Sequence, residues 1–288
     1  MNELPTKLSA LSLQFTRHLW MNLFFALLMA GLLVGCSGQV PSPKQIKTDN
    51  AQSRAGQLMR IAETTRQGGD LGSALALFRR AHAMTPGDIK ALIAIGEVAF
   101  TIKEFDQAAS AYSKALTMDP ENLQVLLGYG KTLISLDRPD QALEYFTTAT
   151  TVNPADHRGF NGAGVSLDMM GRHDEAQGQY HRGIEVAPEA ISLSNNLALS
   201  LAFAGKYDQA IGILEVFADD PLSGIRLRQN LALIYGLAGM NEKAAKIAAK
   251  DFDPAGVANN MAYYAQLRKL SSKARAQAVF GTNTTTSP

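Results

Sequence analysis

The chain has 288 residues, 46% of them apolar, which is enough for a packed core and excludes wholesale disorder. Lys7, Arg17 and Glu3 are the only charges in the first 35 residues, and the remainder balances 25 basic against 25 acidic side chains. That balance excludes the basic footprint of a nucleic-acid binder and a polybasic patch for anionic lipid. The single cysteine, Cys36, excludes an internal disulfide and a thiolate metal cluster.

In chain order, the first element is an apolar run of 12 residues, Leu23 to Val34, preceded by Lys7 and Arg17 and closed by Gly35 and Cys36. As a helix it would reach only ~18 Å, against a hydrocarbon core of ~30 Å. A short run, basic before and small after, is the pattern of a secretory signal peptide. Leu33-Val34-Gly35-Cys36 resembles the lipobox of bacterial lipoproteins. The resemblance implies cleavage before Cys36 and acylation of its thiol, a palmitate-type modification that anchors the chain stably when two or more acyl chains are present. Ser37, where an Asp would mark inner-membrane retention, resembles the outer-membrane sorting class. The expected location is the outer membrane, lipid-anchored and facing the periplasm. A start at Met21 would discard both basic residues, so Met1 is kept. Residues 1–35 are thus expected to be signal peptide. Residues 36–53, rich in Gly, Pro, Ser, Lys and Gln, are expected to be a flexible tether.

Beyond the tether the sequence repeats. Alanines recur every 34 residues at Ala74, Ala108, Ala142, Ala176, Ala210 and Ala244. A second small residue keeps the same interval: Ala62, Gly96, Gly130, Gly164, Ala198 and Ala232. Large aromatics sit four after the first four alanines (Phe78, Tyr112, Phe146, Tyr180), and Pro86, Pro120, Pro154 and Pro188 close those repeats before the phase slips to Pro221. This pattern resembles the tetratricopeptide-repeat (TPR) family. The resemblance implies an all-α superhelical solenoid of six helix–turn–helix repeats over residues 54–252. The small residues would permit close helix approach, the first within a repeat and the second between repeats, and the aromatic would fill the wedge between helix pairs. Gly69, Gly171, Gly205 and Gly239 fall in the turns inside repeats, where a positive φ is often needed.

The last repeats depart from the pattern: the aromatic becomes Leu214 and then Ala248, and the family's tryptophan is absent throughout. A helical stretch follows within residues 253–270, with Met261, Tyr264 and Leu267 at spacings of three suited to capping the final apolar face. Residues 271–288 are expected to be a flexible tail.

Signals of catalysis are weak. No histidine pairs with a glutamate in a zinc motif, and His173 and His181, eight apart, lack a third ligand at helical spacing. Gly130-Lys131-Thr132 imitates the end of a phosphate loop, but Val125 stands where its partner glycine belongs, inside an expected helix. No Gly-x-Ser-x-Gly elbow occurs. Neither an enzyme, a metal site nor a cofactor is expected.

In the family's register, the first helix of each repeat lines the concave face. Repeat 2 would present Lys90, Ile93, Glu97 and Phe100, and repeat 3 Leu127, Lys131 and Ile134. The face then turns apolar: Val165 and Met169, Leu199 and Phe203, Leu233 and Leu237, each pair at i, i+4. Asn161, Asn195 and Gln229 recur one repeat apart with amides suited to a peptide backbone. These nine residues are the candidate partner groove, with coverage by neighbouring helices, by the C-terminal segment or by self-association as the competing expectation.

The runs Arg228 to Met240, Ala248 to Pro254 and Asn259 to Tyr264 resemble the TadD family, the TPR lipoproteins of the tight-adherence (Flp) pilus secretion system. That resemblance implies a pilotin-like role, helping a secretin reach, assemble in or stay in the outer membrane, with secretin or other pilus-assembly proteins as partners. A lipidated TPR adaptor for a type IV pilus secretin or for peptidoglycan hydrolases, and a regulatory subunit of an envelope enzyme, are the alternatives.

Overall fold

In the computed structural model, residues 43–217 and 224–281 are described. The expected signal peptide, Cys36, Pro221 and the last seven residues lie outside them. Two units are distinguished, residues 1–50 and 51–288, and of the first only the start of a helix is described. The described residues form fourteen helices and no strand. They are α1 (Pro43–Gln67), α2 (Leu71–Met84), α3 (Ile89–Thr101), α4 (Phe105–Met118), α5 (Leu123–Ser135), α6 (Pro139–Val152) and α7 (His157–Met169). Then follow α8 (His173–Val186), α9 (Ile191–Phe203), α10 (Tyr207–Glu215), α11 (Ile225–Leu237), α12 (Asn241–Ala248), α13 (Pro254–Leu267) and α14 (Ser272–Phe280). From α2 to α13 successive helices pair and stack in order, so the packing there is local along the chain, as in a solenoid.

The 34-residue pattern accounts for the packing. All six repeated alanines, Ala74 through Ala244, have no exposed surface, and Phe78, Tyr112, Phe146 and Tyr180 are buried beside them. Tyr112 and Phe146 each lie on glycines from two helices. A Cβ built on Gly96 would come within 2.6 Å of the Tyr112 ring, and one on Gly128 of the following repeat within 2.7 Å. Phe146 sits likewise on Gly130 and Gly162, at 2.8 and 2.3 Å. The series Gly96, Gly130 and Gly164 therefore admits the aromatic of its own repeat. In repeats 2 and 3, approach of the next repeat depends on a second pair, Gly128 and Gly162, which the sequence reading did not single out.

The turns inside the repeats are equally regular. Positive φ occurs at Gly69, Lys103, Asp137, Gly171, Gly205 and Gly239, 34 residues apart. Four of the six are glycine because that residue closes a helix in the left-handed region without a Cβ clash. Between repeats, Asp88, Asn122 and Asp156 cap helices α3, α5 and α7 by accepting from backbone N–H groups.

Two boundaries differ from expectation. The tether expected over residues 36–53 is helical from Pro43: proline is well suited to a helix start, and Lys44, Gln45, Lys47, Ala51, Gln52 and Arg54 are good helix formers. The tail expected over 271–288 contains α14, whose start is capped by Ser271 accepting from the Ala274 N–H at 3.3 Å. The expected cap over 253–270 is α13, with Tyr264 and Leu267 buried. Its close seat on α11 requires Gly236, where a Cβ would meet Tyr264 at 2.4 Å.

Candidate functional site: the concave groove

The inner face is built by α3, α5, α7, α9 and α11, the first helices of repeats 2 to 6. Over repeats 2 to 4 it forms an open groove of about 880 Å³, lined among others by Glu97, Phe100, Leu127, Lys131, Asn161 and Val165. Lys131 Nζ stands 4.5 Å from the centre of the Phe100 ring. The Gln124 amide donates to Glu97 Oε1 at 2.6 Å, tying neighbouring repeats together.

Over repeats 5 and 6 the groove has two walls. Asn195, Leu199, Gln229 and Leu233 line a cavity of about 1040 Å³ from the solenoid side; Phe252, Tyr263, Val279 and Phe280 close it from the other. Helix α14 lies on α7 and α9. Phe280 meets Phe203 edge to face, with ring centroids 5.7 Å apart. Met169, Leu199, Phe203, Leu233 and Leu237 are buried, while Val165, Asn161 and Gln229 are half-buried. The apolar inner face of repeats 4 to 6 thus exists, but it is covered instead of open. The chain's own C-terminal helices supply the aromatic and aliphatic side chains that bury it.

Two of the candidate amides, Asn161 and Asn195, belong to a ladder that does not include Gln229. Asn196 Nδ2 donates to Asn161 Oδ1 at 2.9 Å, Asn195 Nδ2 to Asn196 Oδ1 at 3.2 Å, and Asn230 Nδ2 to Asn195 Oδ1 at 2.9 Å. The sequence reading found Asn161 and Asn195 but missed Asn196 and Asn230. Their signal was available: they occupy the positions of Gly128 and Gly162 one and two repeats later. An amide offers two donors and an acceptor with two lone pairs, so each retains capacity for a peptide backbone. Nearby, Arg228 pairs with Asp251, Nε to Oδ2 at 3.0 Å, joining two of the runs that carry the TadD resemblance.

Comparison with known proteins agrees with this geometry. Tetratricopeptide-repeat family models match residues 59–122 and 99–161. A tetratricopeptide-repeat protein of Parabacteroides merdae is 20% identical at a TM-score of 0.62, over 73% of this chain and 84% of that one. The fold is a TPR solenoid. PilF of Pseudomonas aeruginosa is 22% identical at a TM-score of 0.56, over 70% of this chain and 91% of its own. YrrB, a TPR protein with an unusual peptide-binding site, is 23% identical at a TM-score of 0.50, over 59% of this chain and 88% of its own. No curated protein matches the sequence.

TPR arrays generally serve as non-catalytic scaffolds for protein contacts, and the buried polar cluster around Asp168 is structural in form. Asp168 of α7 accepts from Tyr180 Oη at 2.9 Å and Ser200 Oγ at 2.7 Å, and its Oδ1 lies 2.7 Å from His173 Nδ1. The Ser200 hydroxyl donates to the Asp168 carboxylate, and both side chains are fully buried away from the surface. Burial pushes the Asp168 carboxyl up, and hydrogen bonds from His173, Ser200 and Tyr180 partly offset it. Burial also raises the Tyr180 hydroxyl well above its ordinary value. The cluster clamps α7, α8 and α9 in register across repeats 4 and 5. No group of three His, Cys, Asp or Glu able to hold a metal occurs among the described residues, and His181 is exposed. Lys131 and Thr132 lie inside α5, where the Thr132 hydroxyl donates to the Gly128 carbonyl at 2.7 Å. No helix among the described residues is long and apolar enough to cross a membrane.

Proposed function

We propose that this protein is an outer-membrane lipoprotein, anchored at Cys36 and facing the periplasm, whose TPR solenoid holds a segment of a secretin during assembly of a tight-adherence pilus system. The observation that supports it most is the inner groove, which combines an amide ladder with aromatic and aliphatic walls. Such a surface can bond a peptide backbone and bury side-chain anchors at once. The lipobox-like Leu33-Val34-Gly35-Cys36 supplies the membrane attachment, and the TadD resemblance supplies the pilus system. The likeness to PilF is one of fold.

The test is genetic and biochemical. Cells lacking the protein are complemented with wild type or Cys36→Ser, and heat-resistant secretin multimers are measured in outer-membrane fractions. Wild type restores multimers there, while Cys36→Ser restores neither acyl labelling nor localised multimers. Normal multimers in cells lacking the protein would refute the secretin role and leave the hydrolase adaptor as the better reading.

A further inference from the structure

Helix α14 differs from the other helices of this unit in how it is held. Ala276 is its only fully buried side chain, and the segment leading into it, Lys269, Leu270 and Ser271, is exposed. Most of its polar fastening is to its own elbow: Arg275 donates from Nε to the Leu267 carbonyl and from Nη2 to the Arg268 carbonyl, both at 2.9 Å. Its hydrogen bond to a solenoid side chain, Arg275 to Tyr207 Oη, is long at 3.4 Å. What seats it is a face of Ala276, Val279 and Phe280, at i, i+3 and i+4, laid on the inner surface of α7 and α9. The repeat stack does not need α14 for closure, because α13 already covers α11 through Tyr264 and Leu267.

A small-residue helix ending in an aromatic is thus seated on the apolar part of the candidate groove through one side-chain face, with Ala276 alone fully buried. We propose that α14 is a displaceable occupant, holding the place of a partner's short helix that presents the same face: a small residue, then an aliphatic and an aromatic at i+3 and i+4. In the free protein the chain keeps its own binding surface closed, and a partner helix of that chemistry competes α14 out. This rests on the concave face being the binding surface. Tethering gives α14 a millimolar-range advantage over a free competitor, so the resting state is closed and weak competitors fail.

The experiment uses the purified full chain and a fluorescent synthetic peptide of residues 271–281 as probe. In hydrogen exchange of wild type, the amides of α14 are expected to exchange on the order of 100-fold faster than those of α9, through local release and not global unfolding. The full-length double variant Ala276→Glu/Phe280→Asp, altered only in α14, is expected to keep the helicity of the solenoid and a cooperative melt only modestly below that of wild type. It should bind the probe at least roughly tenfold more tightly than wild type does, and a Phe280→Asp version of the probe should not bind. Exchange of α14 as slow as that of α9, or equal or absent probe binding by wild type and variant, would overturn the proposal. So would collapse of the variant's fold, since α14 would then be part of the core. None of these arms involves the secretin, so its identification can fail while the displaceable helix stands.

Discussion

Phe203 and Phe280 meet with their ring planes at 85°, joining the middle of the solenoid to the last described helix. The two are not equivalent. Phe203 is 2% exposed and belongs to the core of repeats 4 to 6, whereas Phe280 is only half-buried. Phe203→Ala should therefore cost about 3–5 kcal/mol, the range for a fully buried phenylalanine. Phe280→Ala should cost less than half as much, about 2 kcal/mol or below. Denaturant unfolding of both variants checks this; equal losses would show that α14 is bound into the core.

Glycines beneath the aromatics should behave oppositely to glycines facing open space. Gly162→Ala drives a methyl to 2.3 Å from the Phe146 ring and should destabilise by about 1–3 kcal/mol. Gly212→Ala, on the exposed side of α10 with nothing within 4 Å, should stabilise by up to about 1 kcal/mol. Thermal melts of the two single variants provide the comparison, and shifts of the same sign would contradict the wedge packing.

The turn residues give a test of backbone conformation alone. At Gly205 φ is +79° and a Cβ would meet nothing within 4 Å, so Gly205→Ala removes no space. It should still destabilise by about 1–2 kcal/mol through the left-handed conformation. At the equivalent Lys103, with φ 63°, Lys103→Gly should be neutral or stabilising. Melting temperatures that fall in both variants would show that the Lys103 side chain contributes more than its strain removes.

Asp168 predicts a pH dependence. Its carboxyl titrates higher in the folded chain than in the unfolded one because burial disfavours the charge. Between those two values the folded state binds more protons, so stability falls as pH rises through that window and is fully present below it. Asp168→Asn abolishes the titration. The stability of wild type relative to this variant should therefore decline as pH rises from about 4. A difference that is constant with pH, read from unfolding curves of both proteins, would contradict it.

The solenoid was legible because its physics is periodic. The small residues at Ala74, Ala108 and Ala142, the aromatics four later and the turn glycines each do one packing or backbone task per repeat, so spacing alone exposes them. The inner face was legible in part, since helix register places Asn161, Asn195, Leu199 and Leu233 there without a structure. What covers it was not. The segment from Ser272 to Phe280 has no partner of its own at repeat spacing, and its alanines and lone aromatic read as a tail until the groove is present to receive them. The Asp168 cluster was missed for a related reason: Asp168, His173, Tyr180 and Ser200 meet across three helices and share no repeat phase.

The central claim, that the concave face holds the secretin, is tested most directly by in-cell photocross-linking. A photoreactive residue is placed singly at Val165 and Gln229 in the groove, and at exposed Lys114 on α4 as control. Adducts with the secretin subunit from positions 165 and 229, and none from 114, are the predicted result. Adducts from 114 alone, or equally from all three positions, would contradict it.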